Sequence, residues 1–291
     1  MNGRTHFELQ ISSVATLGQT DKWLREVLFD SMSPQTNVDA ETHSHSRPGS
    51  GPSSHHRHLP QNSLTAAPKY SIIFPTPDEI RRSLNGYASG SSIHMKLGTA
   101  AQQRQLRYLH PYLCQWAGDG EGCSDGSKPE GTTETEARNA GRRRAAPHVK
   151  TYIRFSDAER MDSIDWAMVT SANLSTQAWG AGVNANGEVR ICSWEIGVVV
   201  WPDLFAGGES EGVVAKMVPC FKRDLPLDDA HQGTGCVSDG SEDSQHAPQS
   251  VVVGFRMPYD LPLAPYAPGD TPWCATANYA EPDWLGQTWD Q

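Results

Sequence analysis

The 291-residue sequence has no hydrophobic run long enough to cross a membrane and no cysteine framework. A bilayer-spanning helix needs about 18 or more consecutive apolar residues, and no stretch of the sequence reaches that length. The residues after Met1 are polar, so we expect no signal peptide. Six scattered cysteines form no CxxC pair, which favours reduced thiols in a cytosolic or nuclear protein. No unit repeats along the chain, so a repeat architecture is excluded.

Positive charge is nearly absent from the last quarter of the chain. From Asp224 onward there are eleven acidic residues and a single basic one, Arg256. The net charge of −10 therefore lies in this quarter, and the first 223 residues are neutral. The neutral part contains one basic cluster, made of Arg138, Arg142, Arg143 and Arg144. Because the local field governs whether a phosphate can approach, the acidity of the whole chain does not exclude a nucleic-acid partner.

Large apolar side chains are scarce in three stretches, 34–66, 118–144 and 227–249. Such stretches bury too little apolar surface to offset an ordering entropy of roughly 1–2 kcal/mol per residue. We interpret them as disordered loops inserted into a single domain that spans residues 1–291, since ordered elements are predicted on both sides of each. The first stretch is rich in histidine, and without a Cys or carboxylate frame a disordered tract is favoured over a metal site. Its histidines are His43, His45, His55, His56 and His58.

The remaining segments alternate between strand and helix patterns. Strands are predicted at 6–12, 70–74, 148–155, 166–171, 189–201 and 251–255. Helices are predicted at 21–32, from Thr76 as cap with Pro77 at the first position, and at 99–116. The run Val198, Val199, Val200 is typical of a strand covered on both faces. This alternation predicts an α/β fold, an α-β-α sandwich built on a mixed sheet.

The strand that follows the arginines begins with side chains suited to phosphate chemistry. His148 and Lys150, in the run PHVK, project from the same face of a strand and form a pair that favours an anion between them. The next strand ends in TSANLS, where Asn173 and two hydroxyls lie in a polar turn of the kind that binds ligands in open α/β sheets. Glu195 lies between two large apolar residues, which predicts a partner for its carboxylate. Each feature alone is common by chance, but together they suit a phosphodiester without a metal or other cofactor.

The run HVK, followed by TSANLS, AWG and SWEIGVVVWP, resembles the second catalytic half of the tyrosyl-DNA phosphodiesterases, in the phospholipase D superfamily. The resemblance extends to ISSVATLG at 11–18, IFPT at 73–76, SLNGY at 83–87, PYDLP at 258–262 and PW at 272–273. The wider superfamily has an Asp five positions beyond the Lys, where this sequence has Phe155, and this favours the tyrosyl-DNA branch. The resemblance implies a phospholipase D-like half-domain in a nuclear DNA-repair enzyme that hydrolyses 3′-phosphotyrosyl or other 3′-blocked DNA ends.

The resemblance also implies a role for each site residue. In this family two HxK units face each other; one His forms a phosphohistidine, and the other protonates the leaving oxygen and then activates water. Here His148 would be that acid/base, Lys150 and Asn173 would hold phosphoryl oxygens, and Glu195 would orient the nucleophilic His. The DNA path would include Ser13, Thr16, Ser175, Thr176 and Gln177. The implied partners are single- or double-stranded DNA 3′ ends carrying a topoisomerase-derived tyrosyl peptide, with no membrane.

Three departures from the family pattern affect this interpretation. Thr176 stands where the family often has a basic residue, and Ala275 where a second Trp is common, so both contacts are expected to be weaker. A second HxK unit in the family's context is missing, because His94-Met95-Lys96 has the letters but no SAN-type turn after it. We therefore expect an acid/base half-site that is inactive or weak alone, with an exposed apolar face meant for a missing N-terminal half. Two alternatives are a homodimeric single-HxK nuclease and a non-catalytic DNA-end-binding fragment.

Overall fold

The computed structural model describes residues 4–33, 67–116, 138–206, 213–226 and 250–291. The strands are β1 (His6–Gln10), β2 (Ser13–Val14), β3 (Lys69–Ile73), β4 (His94–Met95), β5 (Leu113–Cys114), β6 (Lys150–Phe155), β7 (Ile164–Thr170), β8 (Gly197–Val200), β9 (Val214–Cys220) and β10 (Ser250–Arg256). A π-helix, Leu24–Phe29, continues as α1 (Asp30–Met32), and the other α-helices are α2 (Pro77–Arg81), α3 (Ala100–Leu109) and α4 (Thr176–Trp179). Short 3₁₀ helices cover Gly86–Ser92, His110–Tyr112 and Pro202–Phe205.

Eight of these strands form one mixed sheet. Its order is β10-β9-β7-β6-β1-β3-β5, with β8 paired to β7. The central strand β1 runs parallel to β3 and antiparallel to β6, and β6 runs antiparallel to β7. A separate pair, β2 and β4, is parallel and lies just beyond the carboxyl end of β1. The predicted α/β fold with a mixed sheet is confirmed.

The sheet has an apolar core on each face. The first core holds Phe7 and Leu9 of β1, packed against the π-helix and α3 through residues such as Leu28 and Leu109. The second core holds alternate residues of β6, β7 and β9, covered by the irregular segment around Met257. This two-sided burial follows from the period-two alternation of side chains along each strand.

Local sequence signals explain where the helices begin and end. Thr76 caps α2 in a capping box with Glu79, as its hydroxyl accepts from the Glu79 N–H and the Glu79 carboxylate accepts from the Thr76 N–H. The predicted helix 99–116 is too long, because α3 ends at Leu109 and Pro111 follows in a 3₁₀ turn. Beyond that turn the chain becomes β5, which pairs with β3.

The predicted strand 189–201 is wrong over most of its length. Only β8 is a strand, and Val198 and Val199 are 66% and 45% exposed, so the run is not covered on both faces. The continuous apolar run correctly predicted a strand at Val198–Val200, but it could not show whether other residues would cover that strand. Within the described residues this strand forms an open apolar surface.

The three predicted loop insertions fall almost entirely outside the described residues. Segments 34–66 and 227–249, with the five histidines of the first, lie outside them, and so do residues 118–137. Residues 138–144 are described and packed, in contrast to the prediction for that stretch. Arg138 binds the Arg160 and Met161 carbonyls, Arg143 pairs with Asp260 at 2.6 Å, and Arg144 lies over the Trp284 ring. Much of the predicted basic cluster therefore makes contacts within the fold.

A stack of aromatic rings fixes the segment that leads into β4. The Trp273 ring stacks on Tyr87 and Tyr279, and its indole N–H donates to the Gly90 carbonyl at 2.9 Å. A Cβ on Gly90 would lie 2.5 Å from the Trp273 ring, so this close approach requires glycine. The 3₁₀ helix Gly86–Ser92 is held in place in this way, and β4 follows directly.

No helix in the described part of the chain is long and apolar enough to span a membrane.

Candidate active site

His148 and Lys150 lie at the entrance of β6, where the strand passes from solvent into the first core. His148 is exposed and precedes the strand, Lys150 is its first residue and is buried, and Tyr152 is fully buried. Lys150 and Tyr152 share one face of the strand, and His148 lies two residues before Lys150, outside the strand. The Tyr152 hydroxyl donates to the Ala172 carbonyl at 3.2 Å and so ties β6 to the turn that follows β7.

Asn173 is held in that turn by three donors. Its Oδ1 accepts from the Ser12 N–H at 3.0 Å, the Ser13 N–H at 2.9 Å and the Ser12 hydroxyl at 3.2 Å. No acceptor among the described residues takes its Nδ2 group, which therefore keeps two N–H donors for a ligand. The arrangement leaves Asn173 as a fixed hydrogen-bond donor.

The two segments predicted to line the DNA path lie side by side. Leu174 N–H donates to the Ser13 carbonyl and Ala15 N–H donates to the Leu174 carbonyl, at 3.2 and 3.1 Å. The Thr176 hydroxyl reaches the Thr16 carbonyl at 3.5 Å. Segments more than 150 residues apart in sequence therefore form one polar surface next to Asn173.

Two other residues predicted on this path also have structural partners. Ser175 is buried and caps α4, because its Oγ accepts from the Ala178 N–H at 3.1 Å. Gln177 is exposed, and its backbone carbonyl accepts from the Cys192 and Ser193 N–H groups. The latter contacts anchor the irregular segment that carries Glu195.

Glu195 has a partner that sequence reasoning did not identify. The Ser171 hydroxyl donates to Glu195 Oε2 at 2.5 Å and accepts from the Ile196 N–H at 2.9 Å. Ser171 N–H also donates to the Ile196 carbonyl at 2.9 Å. Ser171 belongs to the TSANLS run, but the sequence of that run does not indicate which carboxylate its hydroxyl would bind.

The charges of the site interact. Loss of solvent lowers the pKa of Lys150, and the nearby Glu195 carboxylate opposes that shift. The pKa of His148 is lowered first by loss of solvent around its ring and then by the positive charges of Lys150 and His94. In the free protein the His148 imidazole is therefore mainly neutral at pH 7, and a bound anion would favour its protonated form.

His94 lies next to the Ser12–Ser13 turn that holds Asn173. It has the letters of an HxK unit, but the sequence around it does not match the family's motif. The structure places it on β4, paired with Ser13 of β2, and its charge is the smallest of the three causes that lower the pKa of His148. Only the pairing of two distant segments brings it there.

Large apolar side chains surround Glu195 on the surface. Trp194 is fully exposed and Ile196 is 82% exposed, and Trp201, Leu204 and Phe205 of the following segment are also exposed. The exposed apolar face expected from the sequence is therefore present. We call these residues, together with Val198 and Val199, the apolar surface.

Among the described residues no group of three or more His, Cys, Asp or Glu side chains is placed to hold a metal ion. Metal-independent chemistry stays a prediction.

The chain was compared with known proteins and structures. A family model described as tyrosyl-DNA phosphodiesterase matches residues 1–267. A probable tyrosyl-DNA phosphodiesterase of Schizosaccharomyces pombe is 34% identical over 228 residues, which cover 76% of this chain and 36% of that protein. Tyrosyl-DNA phosphodiesterase 1 of Arabidopsis thaliana is 30% identical over 225 residues, 75% of this chain and 32% of that protein.

A solved structure shares the fold. The crystal structure of the yeast tyrosyl-DNA phosphodiesterase matches 94% of this chain and 50% of its own, with a TM-score of 0.50 and 20% identity. The chain thus spans about a third of the curated relatives and half of the yeast structure. The match to the family model over 267 residues is decisive: the chain belongs to the tyrosyl-DNA phosphodiesterase family.

Proposed function

We propose that this chain provides the acid/base half-site of a DNA-repair phosphodiesterase that hydrolyses 3′-phosphotyrosyl and other 3′-blocked DNA ends. The supporting observation is the convergence of His148, Lys150, Asn173 and Glu195 at one edge of the sheet, next to the Ser12–Ser13 turn. An ammonium group and a free amide suit two non-bridging phosphoryl oxygens.

The proposed reaction has two steps. In the first, an imidazole of a second HxK unit attacks phosphorus, a P–N bond forms, and the bond to the tyrosyl oxygen breaks while His148 gives that oxygen a proton. In the second, His148 removes a proton from water, the water oxygen attacks phosphorus and the P–N bond breaks. The products are a free tyrosyl group and a DNA 3′-phosphate.

Glu195 acts on the nucleophilic imidazole in this scheme. Its carboxylate would accept a hydrogen bond from the far ring nitrogen and stabilise the charge that develops there. Ser171 and the tethered backbone of Ile196 hold the carboxylate in position. Ser13, Thr16, Thr176 and Gln177, with the cap residue Ser175, would follow the DNA strand and contact its phosphates.

The substrate would be the 3′ end of single- or double-stranded DNA, with a topoisomerase-derived tyrosyl peptide as leaving group. The proposal includes a nuclear location, which imaging of the tagged chain in cells tests. It also includes independence from metal, so turnover should survive EDTA.

The deciding experiment uses an oligonucleotide with a 3′-phosphotyrosine. The isolated chain should bind it but turn it over weakly or not at all, because a general acid without its nucleophile supplies only part of the rate. His148→Ala should abolish any turnover and leave binding within about twofold. His110→Ala, outside the site where its ring contacts the Asp270 carbonyl, is the matched control.

The outcomes separate the hypotheses. Robust turnover by a monomer would contradict the half-site. Loss of DNA binding in the His148→Ala variant would contradict a non-catalytic DNA-end binder, the third hypothesis. The absence of binding by the unmodified chain would remove the proposed function itself.

A homodimeric nuclease is the second candidate, and the apolar surface favours it. A second copy covering this surface would bring two HxK units together, with one His148 as nucleophile and the other as acid. Sedimentation that shows only monomers in the presence of DNA would exclude this candidate.

A further inference from the structure

His94 lies beside the proposed phosphate site, and the two-step reaction gives it no role. Its backbone N–H donates to the Ser12 carbonyl at 2.9 Å, and β4 pairs with β2 so that His94 is opposite Ser13. The same Ser12 and Ser13 hold Asn173 through their own N–H groups. His94 is therefore built into the frame that positions Asn173.

The imidazole of His94 points away from the core. Its neighbours Ile93 and Met95 are buried in the first core, whereas His94 and Lys96 are exposed. Because alternate residues of an extended chain face opposite sides, the His94 and Lys96 side chains lie on the open side of β4. His94 and Lys96 therefore give β4 an exposed basic edge.

The imidazole is available for a ligand. Among the described residues no side chain or backbone group hydrogen-bonds to its ring, and no carboxylate lies within 4 Å of it. Repulsion from His94 is the smallest of the three causes that lower the pKa of His148. With the Lys150 ammonium, whose charge Glu195 partly balances, the His94 and His148 imidazoles give this edge basic groups that a phosphate would complement.

We propose that His94 is a phosphate-contacting residue, whose imidazole donates a hydrogen bond to a DNA phosphate held between Ser13 and His148. This inference rests on the proposed function, because it adds a ligand to the same site. A protonated imidazole gives a charge-assisted hydrogen bond, and a neutral one still donates through one ring nitrogen.

The first test observes the ring directly. Nitrogen-15 NMR of the histidine side chains is recorded while inorganic phosphate is added to the unmodified chain. We expect the His94 and His148 resonances to shift together along one binding curve. In the His94→Ala variant the pKa of His148 should rise, because a repelling charge is removed, and this readout does not require any activity.

The second test measures affinity. His94→Ala should bind the 3′-phosphotyrosyl oligonucleotide roughly tenfold more weakly, the loss expected for one charge-assisted hydrogen bond. His94→Gln keeps a hydrogen-bond donor and should lose less affinity than His94→Ala. Because the His94 side chain is exposed, both variants should fold normally. His110→Ala again serves as the control.

The outcomes distinguish this proposal from the proposed function. Phosphate that shifts His148 but leaves His94 unmoved, with unchanged affinity in both His94 variants, would overturn the role of His94 and leave the function standing. A chain that binds neither phosphate nor the oligonucleotide would overturn both. Affinity lost in His94→Ala with no phosphate shift at His94 would also count against direct contact.

Discussion

Asn173 shows how one side chain divides its polar atoms between folding and ligand binding. Its carbonyl oxygen is saturated by three donors of the Ser12–Ser13 turn, so the orientation of the amide is determined by the fold. Its N–H donors then face the site without further cost in rotamer entropy. Ser171 does the same for Glu195, as it accepts from the backbone while it donates to the carboxylate.

A second set of polar residues lies on the opposite face of β1, deep in the fold. His6, Glu8 and Gln10 are fully buried, although strand alternation would favour apolar residues there. Burial raises the pKa of Glu8 to about 8, and the neighbouring Tyr259 hydroxyl and the positive charges of Lys69 and Arg138 oppose this shift only in part. Burial lowers the pKa of His6 to about 3, so this pair, 3.8 Å apart, is neutral at pH 7 and is not an ion pair.

Glu8→Gln should change how stability depends on pH. Folded Glu8 keeps a proton that the unfolded state releases near pH 4.5, so the Glu8 contribution to stability falls as pH rises from about 4.5 to 8. His6, which is neutral in the folded state, contributes the opposite slope below pH 6.5, so the pair lowers the stability of the unmodified chain mainly between pH 6.5 and 8. The neutral Gln variant should lack this fall, which between pH 6.5 and 8 amounts to at most about 2 kcal/mol. Urea unfolding at pH 5, 6.5 and 8 measures it.

Glu26→Gln is the matched control for Glu8→Gln, because Glu26 is exposed and pairs only with Lys22. Its pH profile should follow that of the unmodified chain within about 0.5 kcal/mol. Identical slopes for Glu8→Gln and the unmodified chain would show that Glu8 is charged in the folded state.

At the scale of residues, sequence reasoning succeeded where neighbours in the chain define the chemistry. The HVK and SAN runs placed His148, Lys150 and Asn173 because strand spacing and a turn are local properties. It could not predict the position of His94, since the pairing of β4 with β2 depends on packing between segments about 80 residues apart. A two-residue strand carries no periodic pattern to predict.

Among the elements, α4 links the fold to the proposed DNA path. It is only four residues long, and its cap Ser175 was predicted as a DNA contact. Short helices depend strongly on their caps, because most of their backbone N–H groups have no partner within the helix. The single hydroxyl of Ser175 thus has a structural role whatever it contributes to binding.

Two substitutions of Ser175 separate these roles. Ser175→Ala removes the cap and should lower the free energy of unfolding by about 1 kcal/mol. Ser175→Asp keeps a capping oxygen and should retain the stability, but its negative charge should weaken oligonucleotide binding several-fold. Denaturant unfolding and a binding titration are measured on both variants. Unchanged DNA affinity in the Asp variant would place Ser175 off the DNA path.

The other elements show which sequence signals are sufficient. The capping box at Thr76 and the start of α3 at Thr99 each depend on only three or four adjacent residues. Both helices begin where the sequence predicted. The end of α3 was missed because the apolar spacing continues through Leu113, although Pro111 had already stopped the helix. For β8, composition described an apolar strand and could not show that it would be exposed.

At the scale of the whole molecule, the acidic last quarter is not simply a repelling field. Asp260 pairs with Arg143, and Asp283 accepts from the N–H groups of Tyr87 and Leu285. These carboxylates fix turns and bind the carboxyl-terminal segment to the rest of the domain. Part of the negative charge of the last quarter is therefore engaged in contacts within the fold. The sheet edge with His148 and Lys150 still carries basic side chains.

The apolar surface is the feature of the whole molecule with the clearest consequence in solution. Exposed large apolar residues favour association, because covering them removes apolar area from water at about 25 cal/mol per Å². We expect the isolated chain to self-associate, and the double variant Ile196→Ser/Val198→Thr to shift it towards monomer. Both side chains are exposed, so stability should change by less than about 0.5 kcal/mol.

Sedimentation velocity at several protein concentrations measures this association. Leu84→Ser is the matched control, because the Leu84 side chain is also exposed. Its backbone N–H donates to the Arg144 carbonyl, so Leu84 lies in a different part of the fold from β8. It should leave the association unchanged. A chain that stays monomeric at high concentration would mean that the apolar surface does not drive association. Neither a second copy nor another half-domain would then be needed to cover it.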